Sequence, residues 1–336
     1  MTNEELEARI RETGAVEDYA VYGDWLEERG DPRGKLIALQ IAGLSFDDYV
    51  DEHAAMFGAP AGVDVTWKYG FWNTMRTRGM PIDLVSVLAH PSARLLEALR
   101  LDGDGTPSKH FHATLTRSSR IASPSTLETL GCFLRRDQDS RAWLPTLLHE
   151  LRRLGLGCTE LSIGGVYIDK PMGTSIAQLD GLRSLVLGAS YPEGSLFIDR
   201  DALLALAPLA DSLVSLHIIQ CSNFDDESIP MLASFAHLEE LHVPRTEIMA
   251  AGIQWIATLP KLRVLDVRGC PRVDDACGDV IGTFPAIETV AITGTPMGAW
   301  GVKGIACSRT IKKIILDHEQ YPEEIESVLG IELADP

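Results

Sequence analysis

The sequence predicts an α/β solenoid: a curved parallel sheet on the inside, helices on the outside, and a small helical module in front. Three observations carry this. An apolar triplet of the form apolar-x-x-apolar-x-apolar returns nine times, starting at positions 96, 127, 158, 182, 213, 238, 262, 287 and 311, so the steps are 31, 31, 24, 31, 25, 24, 25 and 24 residues. Each triplet alternates over about five positions, the pattern of a half-buried strand. Between triplets lie stretches with helical character, such as Asp201 to Ala210, Ser228 to His237, Met249 to Leu259 and Asp275 to Phe284. One strand and one helix cannot bury an apolar face alone, whereas stacked copies can. Nine strands at about 4.8 Å spacing make a sheet about 40 Å long. A strand side narrower than the helix side curves the stack into a right-handed arc.

The clearest copies are Leu213-x-x-Leu216-x-Ile218, Leu238-x-x-Leu241-x-Val243 and Leu262-x-x-Leu265-x-Val267. Leu182, Ile287 and Ile311 open three more, and Leu96, Leu127 and Cys158 open weaker ones. Three residues beyond the last apolar position stand Cys221, Thr246, Cys270 and Thr295. With these residues the segment from Leu95 to Leu316 resembles the leucine-rich-repeat family, and QCSNFDDESI and GCPRVDDACG resemble its cysteine-containing subtype. The resemblance implies that the Cys or Thr side chain satisfies backbone groups in the turn after each strand.

Ahead of the repeats, Glu4 to Thr13 and Glu17 to Arg29 read as amphipathic helices. Gly30 suits the stop of the second, and Asp31-Pro32 reads as an N-cap followed by proline at the first helical position. Asp24, Glu27, Glu28 and Asp31 read as helix-end charges that Arg29 and Arg33 can pair with, rather than as an acidic site. The segment YAVYGDWLEERGDPRGKLIALQ, through Tyr22, Asp24, Trp25, Leu26, Glu27, Glu28, Arg29, Gly30, Asp31, Pro32, Arg33, Gly34, Leu36, Ile37 and Gln40, resembles the short repeat-companion domain of myxobacteria and related bacteria. Gly23 stands where an alanine is commoner. That resemblance implies a bacterial source and a repeat partner, and no chemistry. Asp64 to Gly79, rich in aromatics, reads as one or two strands capping the first repeat, and Tyr321 to Leu329 reads as a helix capping the last. The expected organisation is a helical module over 1–60, a cap over 61–94, repeats over 95–318 and a second cap over 319–336.

Formal net charge is -18, with 48 acidic against 30 basic residues, which argues against nonspecific binding to nucleic acid or anionic membrane. No run of 18 apolar residues predicts a membrane span, and the polar, acidic N-terminus does not read as a signal peptide. Six cysteines without a CxxC pair read as mostly buried thiols in a cytoplasmic protein. No oligomeric state is implied.

No motif for phosphate binding, nucleophilic hydrolysis, zinc proteolysis or phosphoryl transfer occurs. His110 and His112 form a His-x-His pair with no third ligand nearby in sequence. The position between the last two apolar residues reads, along the stack, Arg100, Gly131, Ser162, Val186, His217, His242, Asp266, Ala291, Ile315. His217, His242 and Asp266 are therefore neighbours on adjacent strands, with Glu240 on the same face. An open strand face excludes water poorly, which suits recognition better than catalysis. The sequence thus predicts a non-enzymatic recognition module, an adaptor, inhibitor or specificity subunit. It would bind a partner protein through Ser215, His217, Ile219, Glu240, His242, Val264, Asp266 and Arg268 on the concave face, without cofactor or metal. Two alternatives stay open: a metal or enzymatic site on the His217, His242 and Asp266 row, and a scaffold that binds through its N-terminal module. The row is expected to face solvent, so that both histidines titrate near neutral pH and the triple alanine variant folds normally.

Overall fold

The computed structural model describes residues 2–78, 87–88, 90–103, 126–134, 144–145, 148–149, 152, 157–164, 167–179, 181–188, 197–316 and 332–334. His110, His112 and the expected helix over 321–329 lie outside these residues. The chain forms two compact units, Met1–Gly131 with Arg153–Leu156, and Cys132–Arg152 with Gly157–Pro336. Among the described residues no helix is long and apolar enough to cross a membrane.

The first unit opens with α1 (Asn3–Thr13), α2 (Val16–Glu27) and α3 (Pro32–Ile41). Thr2 and Glu5 close a capping box on α1, and Gly14 ends it in the left-handed region at φ 61°. The Asp31 carboxylate accepts the Arg33 N–H at 2.9 Å, with Pro32 in the first turn, as the sequence predicts. Two antiparallel strands follow, β1 (Val63–Lys68) and β2 (Phe71–Arg78), and β2 pairs in parallel with β3 (Ala98–Gly103), setting Met75 opposite Leu99. The aromatic-rich hairpin is therefore paired, through β2, with the strand of the first triplet. Leu6, Ile10, Tyr19, Tyr22, Leu26, Ile37 and Phe71 form the core between helices and hairpin, with Tyr22 stacked on Phe71.

The charges of α2 and α3 divide differently from the sequence expectation. Arg29 sits over the Trp25 ring and 3.6 Å from Glu28. Arg33 instead turns inward, is buried, and donates to the Gly70 carbonyl and the Ser92 hydroxyl between Phe57 and Phe71. Its carbon stem and flat cation fit that aromatic slot, and the carbonyl and hydroxyl replace the lost water.

The second unit is built on a parallel sheet in which neighbours follow one another in the order β5 (Gly157–Gly164), β7 (Ser184–Gly188), β9 (Ser215–Ile219), β10 (Glu240–His242), β11 (Val264–Asp266), β12 (Thr289–Ala291), β13 (Lys313–Ile315) and β14 (Glu332–Ala334). Two short strands, β6 (Tyr167–Ile168) and β8 (Phe197–Ile198), pair separately. With β4 (Thr126–Leu134), every predicted triplet carries a strand. The triplets stack in register, Leu161 opposite Leu185, then Leu216, Leu241, Leu265, Val290 and Ile314, and all seven are buried. This is an α/β leucine-rich-repeat solenoid. β14 has no triplet, and sequence periodicity missed it.

The helices return behind the strands at Lys170–Ala177, Arg200–Ala205, Ala250–Ile256, Asp275–Ile281 and Ala299–Ala306. Ser228 to His237 does not form the expected helix; only a 3-10 turn at Ile229–Leu232 is present, with Pro230 in its first turn. Adjacent repeats are joined by carboxylates. Asp226 accepts the amide of Met249 at 2.7 Å, and Asp275 accepts those of Gly298 and Gly301 at 2.7 and 2.9 Å, so one repeat caps the next repeat's helix. The helices also approach closely: a Cβ on Gly278 would lie 2.1 Å from the Gly301 carbonyl oxygen.

The turn after each strand repeats as well. Gln220, Arg245, Gly269 and Gly294 occupy the same place in successive copies, and all four have positive φ, between 55° and 69°. Cys221, Thr246, Cys270 and Thr295 follow, all buried. Thr246 and Thr295 donate to the carbonyls of Val243 and Ile292 at 2.8 Å, and Cys270 donates across to Val243 at 3.2 Å. Thr246, Cys270 and Thr295 thus meet backbone carbonyls, whereas Cys221 donates to the Asn223 side chain at 3.2 Å. Cys158, Cys221, Cys270 and Cys277 are buried free thiols whose pKa burial raises, Cys158 to about 12; Cys307 is exposed.

Because Leu241 is fully buried in the middle of the ladder, Leu241→Ala is expected to cost about 2–5 kcal/mol, read from the urea midpoint. A loss below about 1 kcal/mol would mean that the stack does not depend on that layer.

Candidate functional site

The candidate site lies on the middle strands of the second unit, on the face away from the apolar layers. Parallel register places two rows side by side, polar but for one valine. Ser215, Glu240 and Val264 are partners across β9, β10 and β11, and so are His217, His242 and Asp266. Ile219 stands at the end of β9 beside Gly188 of β7, where a Cβ would meet it at 3.3 Å. Ser215, His217, Ile219, Glu240, His242, Val264 and Asp266 thus lie on three adjacent strands, and Arg268 follows two residues after Asp266.

Within it the groups are paired rather than free. The His217 and His242 rings stack with centroids 4.0 Å apart and planes 7° from parallel. Ser215 Oγ donates to Glu240 Oε2 at 2.9 Å and lies 3.0 Å from His217 Nε2. His242 Nδ1 lies 3.4 Å from Asp266 Oδ2, and its Nε2 3.9 Å from Glu240 Oε2. Arg268 grips Asp266 with both ends of its fork, Nε to Oδ1 at 3.0 Å and a terminal nitrogen to Oδ2 at 2.8 Å, and its backbone N–H donates to Oδ1 at 3.0 Å. Such a bidentate, charge-assisted contact fixes orientation as well as adding energy.

Burial corrects two expectations. Asp266 is only 3% exposed, so the row does not simply face solvent. Burial alone would raise its pKa, but the hydrogen bonds from His242 and Arg268 outweigh that and hold the carboxyl well below its ordinary range. His217 is half-buried, and burial, aided by the neighbouring His242, lowers it to about 4. It therefore stays neutral where a free imidazole would begin to charge. A triple alanine variant that includes Asp266 is accordingly not silent in folding. The roles of the eight residues also separate: Asp266 is a buried anchor, Arg268 its clamp, and Ser215, itself buried, a bridge. Glu240, His217, His242, Ile219 and Val264 keep partial access to solvent.

Three of these residues meet as possible ligands. One ring nitrogen each from His217 and His242 and a carboxylate oxygen of Glu240 all lie within 4.8 Å of one another. The sequence row named Asp266 as the third member; Arg268 occupies both of its oxygens, and Glu240, one column over, takes that place.

No protein-family profile matches the chain, and no curated protein matches it. Among solved structures, the chain is similar to TLR13 in a complex with ssRNA13, with 15% identity, 78% of this chain and 36% of that chain covered, and a TM-score of 0.49. It is also similar to an internalin (InlF) from Listeria monocytogenes, with 17% identity, 77% and 72% covered, and a TM-score of 0.45. The chain thus spans about a third of the length of the first of these.

Two outcomes follow from the pairing. Asp266→Ala strips Arg268 and His242 of their shared acceptor and is expected to cost about 1–3 kcal/mol in chemical denaturation; a cost near zero would mean that the buried carboxylate carries no net stabilisation. His217 has a folded pKa depressed to about 4 from an ordinary 6.5. Between those values the unfolded chain binds more protons than the folded one, so stability rises with pH and is lost as pH falls through this window. The loss attributable to His217 is about 1–2 kcal/mol after allowing for its partial exposure. Denaturant titrations at pH values across the window should show the slope reduced by that amount in His217→Gln; identical slopes would contradict the depressed pKa.

Proposed function

We propose that the protein is a recognition module, an adaptor, inhibitor or specificity subunit, that binds a partner protein on the open face of β9 to β11. The observation that carries this reading is the pair of rows that parallel register sets side by side, polar except for Val264, with the apolar Ile219 beside them. Side chains already locked by stacking and bidentate pairing lose little freedom on docking, so the ordering cost of binding is small. A mix of aliphatic and polar groups on a rigid surface is the composition of a protein interface.

The net charge of -18 supports a protein partner rather than nucleic acid or an anionic membrane. Nothing in the row supplies a reacting geometry sealed from water, which supports recognition without catalysis. In the same reading the segment around Asp31-Pro32 is a bacterial repeat-companion module over residues 1–60, a cap covers 61–94, the repeats run over 95–318 and a second cap covers 319–336. The protein works in the cytoplasm.

A photo-cross-linking residue placed at Val264 is expected to capture a partner in extracts of the native organism. The same residue at Leu204, exposed on an outer helix, should not. Capture from Leu204 alone would move the interface to the helix side. Capture from neither position, with a tryptophan-targeted label protected at Trp25, would move it to the N-terminal module.

A further inference from the structure

We propose that His217, Glu240 and His242 form a binding site for a divalent first-row transition metal of the zinc class, with Asp266 positioning His242. The proposal concerns the same face as the recognition reading but does not depend on it.

Geometry carries the argument. The three candidate ligand atoms already lie within 4.8 Å of one another. Metal–ligand bonds of about 2.0–2.2 Å hold tetrahedral ligands roughly 3.4 Å apart, so the closure needed is on the order of an ångström. Glu240 can supply much of it, because its side chain is 46% exposed and only the Ser215 hydrogen bond has to yield for the carboxylate to move toward the rings. The stacked imidazoles are 4.0 Å apart and 7° from parallel, and one nitrogen of each lies within 4.8 Å of the Glu240 carboxylate. Ser215 Oγ stands between the two, donating to Glu240 Oε2 at 2.9 Å and lying 3.0 Å from His217 Nε2, so the ligand groups are already gathered around one point.

The surrounding groups fit the same role. A metal-bound imidazole is held by giving its other ring N–H to a carboxylate. His242 meets that description: Nδ1 faces the Asp266 carboxylate, while Nε2 looks toward Glu240. Asp266 is itself fixed by both ends of Arg268, so the ring is aimed by a rigid support. Two imidazoles and one carboxylate suit zinc, and disfavour magnesium and calcium, which take oxygen ligands. Three protein ligands at the edge of an open face leave a coordination position for water or for an incoming side chain.

The test uses the full-length, tag-free chain, stripped with a chelator, and zinc chloride as the titrant in calorimetry. One equivalent of zinc is expected to bind, and magnesium or calcium in large excess should not displace it. Glu240→Gln should weaken binding at least about 10-fold and His242→Ala more, while Asp266→Asn should weaken it about 10- to 100-fold. His237→Ala, which removes an exposed imidazole elsewhere, should change nothing. Cobalt(II) in place of zinc reports the ligands directly: its visible bands should appear with wild type, change with Asp266→Asn and vanish with His242→Ala. Glu240→Gln alters a half-exposed side chain outside the apolar core, so it decides the question even if a histidine variant fails to fold. Substoichiometric zinc, or binding that survives Glu240→Gln undiminished, overturns the site. Partner capture repeated in excess chelator separates the two readings, since recognition without metal leaves it intact.

Discussion

A parallel ladder in strict register between short strands is the constraint on which the second unit depends. Leu216, Leu241, Leu265, Val290 and Ile314 stand opposite one another in successive strands, each fully buried. Strands of only three residues, as in β10 to β13, offer few backbone hydrogen bonds of their own. Their order comes from side chains that touch the same residue type above and below. A slip of one position would turn every leucine outward and every polar partner inward. The turn column obeys the same rule: Arg245 donates to the Arg268 carbonyl and Gly269 to that of Thr293, both at 2.8 Å, extending the ladder past the strands. Gln220 and Arg245 hold positive φ there without being glycine, a conformation of about 1–2 kcal/mol cost that the flanking ladder bonds offset.

The candidate site inherits its geometry from that ladder. Two histidines are stacked because residues in register on adjacent parallel strands stand about 4.8 Å apart, close to ring-stacking distance. No local motif creates the pair; the repeat length does. The same spacing brings Asp266 to His242, and a residue two positions on, Arg268, folds back over the carboxylate. A three-centre polar cluster thus arises from one position in three copies of one motif, where the neighbouring copies carry Val186 on one side and Ala291 and Ile315 on the other.

The fold was legible because its signal is long-range and redundant: nine triplets at nearly fixed spacing outweigh any single weak copy. The Asp31-Pro32 cap was legible because local chemistry decides it. What stayed hidden was set by neighbours that periodicity does not encode. Ser228 to His237 has helical character in sequence but forms only a 3-10 turn at Ile229–Leu232. Arg33 chose an aromatic slot over the carboxylates beside it in sequence. β14 pairs with β13 without a triplet of its own. At the site, the row was read correctly, but burial was not. An alternating pattern tells which face a residue takes, and not how deeply its neighbours cover it, so Asp266 and His217 were expected in water. The helix caps supplied by Asp226 and Asp275 have a sequence signal in hindsight, an acidic residue 23 positions before the amide it accepts.

Coupling within the cluster follows from its density. Asp266 holds Arg268 and His242, His242 stacks on His217, and Ser215 links His217 to Glu240. Each group is the nearest charge, dipole or contact of the next, so single changes propagate and their effects on stability or binding will not add. Removing Asp266 frees an arginine and lets His242 rotate; removing His242 exposes His217 to water and raises the pKa that burial had lowered. A surface of independent contacts would respond piecemeal. This one responds as a unit, and that property serves recognition of a single partner geometry and metal coordination alike, since both require several groups to hold their positions at once.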